Sequence, residues 1–308
     1  MPPGSLRMRP YTDADLPHLQ ATVATWIAEA GSCGYDHIGE LPHRIYENLR
    51  GHHPVGDLVH VWELADTTVG LAINLRFGAA FDVFTAPALR GGPTEHEMLR
   101  VAYETTARHL ADAEEYVLTD VFDRDVTRIR LLTELGFTQF RTWDDVTERD
   151  LGDPLPEPTT PDGFVLRSAR LTDADQLAEA RNRAFDTDWT GELYRSAVMT
   201  KPGYDPAREI VVEAPDGRIA AFTVYWLDER NRRGHFEPVG THPDFQRRGL
   251  ARAAMLAAMR RMRTAGMTTV SVHYNADNLP AHRLYASIGF QKRYQTYGFR
   301  RPRPTAHN

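Results

Sequence analysis

The sequence predicts a mixed α/β fold, built twice over, and three observations carry that expectation. A strand–helix–strand run over 234–274 implies a parallel strand pair joined by a right-handed crossover. Two apolar runs, Ile210 to Ala214 and Ile219 to Leu227, flank Asp216-Gly217, the pattern of a tight antiparallel hairpin. The chain also repeats itself: Leu6-Arg7-Met8-Arg9-Pro10-Tyr11-Thr12-Asp13-Ala14-Asp15 matches Leu166-Arg167-Ser168-Ala169-Arg170-Leu171-Thr172-Asp173-Ala174-Asp175. Near the end of each copy, Leu131-Leu132-Thr133-Glu134-Leu135-Gly136-Phe137 matches Leu284-Tyr285-Ala286-Ser287-Ile288-Gly289-Phe290. Parallel and antiparallel pairs together make the sheet mixed.

The elements of the second copy follow in order. Phe164 to Ala169 reads as a strand, and Thr172 is placed to cap a helix from Asp173 to roughly Phe185, whose acidic start suits the helix dipole. The hairpin comes next, then a strand from Gly234 to Thr241, where Pro238 removes a ladder donor as at a bulge or sheet edge. A helix runs from Gly249 to about Ala265, with Gly266 as its stop. Thr268 to Tyr274 alternates, placing Val270, Val272 and Tyr274 on one face. A short helix begins near Pro280 with Asn278 in the capping position. Between the copies, the proline-rich and polar stretch 151–163 reads as a linker, so the expected division is 1–150, 151–163 and 164–308.

Composition narrows the function classes. A chain of 308 residues with 42% hydrophobic and 25% charged content describes a globular protein. A net charge of −6 carries no nucleic-acid signature. No apolar run approaches the ~20 residues that cross a bilayer, and Met1-Pro2-Pro3-Gly4-Ser5 lacks the parts of a secretory signal. Cys33 stands alone, which excludes an intrachain disulfide and a cysteine-based metal site. The expectation is a cytoplasmic protein, monomer or homodimer, without a metal.

The chemistry centres on Gln246-Arg247-Arg248-Gly249-Leu250-Ala251, a turn that enters a helix. The first N–H groups of a helix lack internal partners and sit at the positive end of its dipole, so an anionic diphosphate is favoured there. Gly249 and Ala251 are small enough to let it approach, and Arg247, Arg248 and Arg252 add positive charge. The other arginines nearby, among them Arg230, Arg232, Arg233, Arg260, Arg261 and Arg263, read as solvated surface.

About thirty residues beyond Gln246 comes Asn278-Leu279-Pro280-Ala281-His282-Arg283-Leu284-Tyr285, closed by Ser287-Ile288-Gly289-Phe290. This ordered pair of motifs, from about Phe164 to Phe299, resembles the GNAT superfamily of acyl-CoA-dependent N-acyltransferases. The resemblance implies two tandem GNAT-like domains, each a mostly antiparallel sheet with a central splayed parallel strand pair, and acetyl-CoA as the acyl donor. It implies Tyr285 as the acid that protonates the departing thiolate, since a phenol stays protonated at neutral pH. It implies Glu237, on the central strand, as the base that deprotonates the amine directly or through water, with binding of the acceptor's charge as the competing role. Val239, Gly240 and Thr241 would hold the thioester and pantetheine arm, with Asn278 touching the arm or capping its helix. The family's acceptor pocket maps to 185–204, where Trp189, Tyr194 and Tyr204 offer aromatic surface and Asp186, Asp188 and Glu192 offer negative charge. His235 and His242 flank the same strand and read as hydrogen-bonded residues rather than as catalysts.

The first copy departs from this pattern. Arg90-Gly91-Gly92-Pro93-Thr94-Glu95 stands opposite Gln246–Ala251, Leu132 opposite Tyr285, and Phe81 opposite Glu237. Pro93 removes a backbone donor and Glu95 repels an anion, so this copy reads as a degenerate scaffold. The functional expectation is an N-acetyltransferase acting by direct attack on a primary amine of a small molecule, since Cys33 matches no nucleophile motif. The pattern leaves open a non-catalytic acyl-CoA-binding or regulatory module, and an enzyme with another acyl donor or a hydroxyl acceptor.

Overall fold

The computed structural model describes residues 6–304, so the Met1–Ser5 stretch read for a leader lies outside the described residues. The first six strands are β1 (Leu6–Pro10), β2 (Val59–Leu64), β3 (Thr67–Arg76), β4 (Ala80–Thr85), β5 (Tyr116–Phe122) and β6 (Thr138–Asp150). The rest are β7 (Val165–Ser168), β8 (Glu209–Glu213), β9 (Ile219–Asp228), β10 (Arg233–Thr241), β11 (Thr269–Asn275) and β12 (Gln291–Pro302). The longer helices are α1 (Leu16–Ala30), α2 (Pro93–His109), α3 (Val126–Glu134), α4 (Ala174–Phe185), α5 (Leu250–Thr264) and α6 (Leu279–Ser287). The mixed α/β expectation holds, and among the described residues no helix is long and apolar enough to cross a membrane.

Two compact units divide the chain by space rather than by order. The first takes the chain to His37, then His43–Asp145, then everything from Tyr294 on; the second takes Ile38–Pro42 and Val146–Arg293. In the first unit the strands run β1-β2-β3-β4-β5-β12. The last strand of the chain lies antiparallel to β5, from Thr296 opposite Phe122 to Pro302 opposite Tyr116. β4 and β5 are parallel and register at Ala80 and Leu118 alone, so they diverge immediately.

In the second unit β10 lies between β11 and β9, followed by β8 and β7. The β10–β11 pair is parallel and the others from β10 to β7 are antiparallel. β9 is buried along almost its whole length, as expected for a strand covered on both faces. On one face α5 inserts Met255, Leu256, Met259 and Met262 against Ile210, Val212 and Phe236. Each such side chain removed from water contributes about 1.5–3 kcal/mol. On the other face Leu177, Ala178 and Tyr194 pack with Val211 and Phe222. The stretch read as a linker is ordered onto this unit: Leu151 and Leu155 join the α5-side core. Arg149 donates to the Pro154 carbonyl at 2.8 Å, and Arg260 to that of Leu155 at 3.0 Å.

Candidate active site

The site begins where β10 and β11 part. Their parallel ladder joins Arg233–Phe236 to Thr269–Val272 and goes no further. β10 continues, shifts register between Phe236 and Val239, and keeps only β9 as partner, pairing Val239, Gly240 and Thr241 with Thr223, Phe222 and Ala221. N–H groups alternate along a strand, and His242 donates to Ala220 on the β9 side at 2.9 Å. Those of Thr241 and Val239 therefore point to the open edge.

The turn that follows supplies a second set of donors. Arg247 has φ +62° and Gly249 φ +77°, so the chain reverses sharply before α5 starts at Leu250. A Cβ at Gly249 would meet nothing within 4 Å, so glycine is needed there for its backbone angle rather than for room. The N–H groups of residues 247–252 have no acceptor among the described residues, which leaves a helix start with its positive pole uncovered. Arg248 stacks near Phe164 and Phe245. By contrast Arg233 pairs with Glu148, Arg260 with Glu157, and Arg261 donates to Ser168, as expected of surface charge.

Tyr285 is buried with its ring 5.1 Å from that of Tyr274 and 6.0 Å from that of Phe290. Burial pushes its phenol well above the ordinary range, and the Glu237 carboxylate and then Tyr274 push it further. That coupling puts Tyr285 and Glu237 within one electrostatic neighbourhood. Glu237 is half-buried, with Val239 and Thr241 alternating on its face. Its carbonyl accepts from the Trp226 indole N–H at 2.8 Å. Asn278 uses its side-chain oxygen to cap α6 through the Ala281 N–H at 3.1 Å. His242 is buried and accepts from the Asp244 N–H at 3.2 Å, a loop-ordering role.

One residue of the site escapes sequence reasoning. Glu40, from the Ile38–Pro42 segment of the second unit, is buried with Oε1 2.7 Å from His235 Nε2. The fully buried His235 ring places Nδ1 2.8 Å from Ser271 Oγ and lies 5.1 Å from the His273 ring. Donor atoms of Glu40, His235 and Glu237 all fall within 4.8 Å of one another. Both imidazole nitrogens are engaged in hydrogen bonds, so a cation would have to displace one of them to gain the ring as a ligand. The only local hint of the segment's placement is Gly39. A Cβ there would stand 2.2 Å from Trp226 Cγ, so the backbone lies directly on the indole.

Of the three aromatics expected to face an acceptor, Trp189 and Tyr194 are buried and Tyr204 is half-buried. Trp189 is 5% exposed and Tyr194 0%, with rings 5.6 Å apart edge to face. The guanidinium of the fully buried Arg181 sits 4.5 Å from the rings of both Tyr194 and Phe222 and 3.0 Å from Glu209. Tyr204, half-buried, donates to the same carboxylate at 2.6 Å, and burial together with that charge pushes its phenol far up.

In the first unit, the equivalent turn is filled by its own side chains. The Gly91 N–H donates to the Glu95 carboxylate, which Arg128 Nε also reaches at 2.9 Å. Arg90 pairs with Asp125 and donates to the Gly34 carbonyl at 3.0 Å.

Comparison with known proteins gives the family. Residues 174–290 match the Acetyltransferase (GNAT) family. A mycothiol acetyltransferase of Nocardia farcinica is 32% identical over 225 residues, covering 69% of this chain and 71% of that one. A mycothiol acetyltransferase of Thermomonospora curvata is 34% identical over 146 residues, covering 45% of this chain and 48% of that one. The chain thus spans about half the length of some curated relatives it matches. A tandem GNAT protein from the clavulanic acid biosynthesis pathway superposes with a TM-score of 0.68 over 98% of this chain and 100% of that one, at 16% identity. A GCN5-related N-acetyltransferase from Sphaerobacter thermophilus gives 0.62 over 97% and 96%, at 21% identity. At those identities the structural likeness speaks for the fold, while the sequence relatives carry the lineage: this chain belongs to the GNAT acetyltransferase family.

Proposed function

We propose that the chain is an N-acetyltransferase that moves an acetyl group from acetyl-CoA to a primary amine of a small molecule, in the second unit. One observation carries the reading. A half-buried carboxylate, Glu237, stands on β10 where that strand leaves β11 and leads to a helix start whose N–H groups lack acceptors, and the buried Tyr285 phenol, packed on Tyr274 of β11, feels the Glu237 charge. The naming of relatives as mycothiol acetyltransferases supports a small-molecule acceptor.

In this reading the residues 246–251 hold the diphosphate and the open edge of Val239–Thr241 holds the pantetheine arm and the thioester carbonyl. Glu237 takes the amine's proton, directly or through water. The amine attacks the thioester carbon, the Val239 and Thr241 N–H groups stabilise the oxyanion, Tyr285 protonates the thiolate as it leaves, and the second proton shed by the nitrogen as the adduct collapses to the amide restores the Tyr285 phenol. Cys33 belongs to the first unit, and burial pushes its thiol up, which makes it a poor nucleophile. The internal carboxylate of Glu95 takes the place of an anion in the first unit, so one acetyl-CoA binds per chain.

The test is CoA release against a panel of primary amines. Glu237→Gln and Tyr285→Phe should each lower kcat by about 10²-fold or more while leaving acetyl-CoA affinity by calorimetry within twofold. Acetyl-CoA binding without release to any amine would leave a binding module. Equal loss of affinity and turnover in Tyr285→Phe would remove its role as acid.

A further inference from the structure

We propose that Trp226 is a positioning residue for the candidate base: its indole N–H holds the peptide that carries the Glu237 carboxylate. This rests on the acetyl-transfer reading and extends it to a residue of β9 that no motif of the sequence singles out.

Three features carry it. First, the strand ladder does not hold this peptide. Phe236 pairs with Tyr225 and Val239 with Thr223, so Glu237 and Pro238 together face Val224 alone. A bulge of this kind leaves a residue outside the ladder, and proline has no N–H to offer. Trp226 supplies a donor from its side chain, with Nε1 2.8 Å from the Glu237 carbonyl oxygen. Second, the donor is itself fixed. Trp226 is buried, and a buried indole N–H is costly to leave unbonded. The backbone of Gly39 lies against its Cβ and Cγ, and the Arg208 guanidinium stands 5.7 Å from its ring centroid. Packing of this kind locks the rotamer and gives the hydrogen bond a constant direction.

Third, the first unit lacks both partners together. Thr85 pairs with Gly70 there as Thr241 pairs with Ala221. Counted from those pairs, Phe81 stands in the place of Glu237 and Leu75 in the place of Trp226. The register shift falls between Ile73 and Arg76, and the Phe81 carbonyl accepts from Thr119 Oγ at 2.9 Å. That bond ties β4 to β5 across their gap. In the second unit the corresponding carbonyl is held by a residue of β9, the neighbour of β10 on the side away from β11. The indole therefore accompanies the carboxylate and draws its carbonyl away from the opening between β10 and β11. A base acts only within hydrogen-bond reach of the proton it takes, so this orientation bears on turnover rather than on the hold on acetyl-CoA.

Trp226→Phe keeps a ring against Gly39 and Arg208 and removes the N–H. The expected result is a fall in kcat of about tenfold, with KM for acetyl-CoA within about twofold of wild type. Turnover is normalised to the fraction of chains that bind acetyl-CoA by calorimetry, so partial misfolding does not imitate the result. In a Glu237→Gln background the same change should lower kcat by no more than about twofold further, because the indole acts through that carboxylate. Trp226→β-(3-benzothienyl)alanine, introduced by nonsense-codon suppression, keeps the bicyclic shape with sulfur in place of the N–H. It should reproduce the loss even where Trp226→Phe fails to fold. Wild-type kcat in the benzothienyl variant would overturn the positioning role while leaving acetyl transfer intact. So would a full multiplicative loss in the Glu237→Gln background, or a rise in KM for acetyl-CoA that matches the fall in kcat. A wild-type chain that releases CoA to no amine fails the acetyl-transfer reading, and the role of Trp226 falls with it.

Discussion

Replacing Gly39 by alanine perturbs the Glu40–His235 contact without touching an ionisable group. The added methyl would lie 2.2 Å from Trp226 Cγ and 2.3 Å from its Cβ, whereas ordinary contact begins at 3.4 Å, so segment or indole must move by 1.2 Å (3.4 less 2.2). A displacement of that size added to the 2.7 Å Glu40–His235 contact takes it out of hydrogen-bond range. Trp226 also holds the Glu237 carbonyl, and misplacement by about 1 Å costs up to ~10²-fold in rate, so kcat should fall; Glu40→Gln, which loosens the same Glu40–His235 contact, should lower it by a similar factor. Overpacking of this kind also costs about 1–3 kcal/mol of stability, or roughly 3–10 °C in melting temperature. The assay is steady-state CoA release with a thiol reagent, paired with thermal melts of both single variants and the double variant. Because both changes act on one contact, the double variant should lose no more kcat than either alone, while its melting temperature stays as low as that of Gly39→Ala. Wild-type kcat in Gly39→Ala would refute the reasoning. So would a further, multiplicative loss of kcat on adding Gly39→Ala to Glu40→Gln, since the two would then act separately.

Three further predictions follow from the second unit. Glu209→Gln leaves the fully buried Arg181 without its charge partner and should cost about 3–5 kcal/mol, seen as a fall of roughly 6–15 °C in the unit's melting transition; an unshifted melt would mean that the rings of Tyr194 and Phe222 suffice. Gly249→Ala meets no atom, yet alanine disfavours φ +77° by about 1 kcal/mol. The free turn should relax away and acetyl-CoA affinity should fall about fivefold by calorimetry, with unchanged affinity counting against the turn as the anion site. Tyr285 has its folded pKa raised above the unfolded value near 10, so the stability it contributes is complete below that pH and is lost as pH climbs through the folded value. Phenolate absorbance at 295 nm should therefore be the same in wild type and Tyr285→Phe up to at least about pH 10.5, and an extra chromophore titrating below pH 10 in wild type would contradict its burial.

Legibility followed locality. The turn at 246–251 and the helix after it were readable because glycine, small residues and helix formers act on their own backbone. The parallel pair within 234–274 followed from its strand–helix–strand connection, and Tyr285 from its place in a family motif. What the letters hid was direction and distance. Trp189 and Tyr194 read as pocket aromatics because composition does not say which way a side chain points, and packing around Arg181 turned them inward. Leu151 and Leu155 were two apolar residues in a proline-rich stretch, enough to anchor it to a core.

The amino-acid order by itself determined the α/β class, the repeat and the glycine turn ahead of a helix, which show as patterns along the chain, while a family resemblance supplied the candidate acid and base. Only the tertiary structure decided that β12 completes the first unit beside β5, that β10 parts from β11 after Phe236, and that Glu40 meets His235 across 195 positions of chain. Such meetings depend on which surfaces are buried together, and no local pattern encodes the partner of a charge that becomes buried only once the chain has folded.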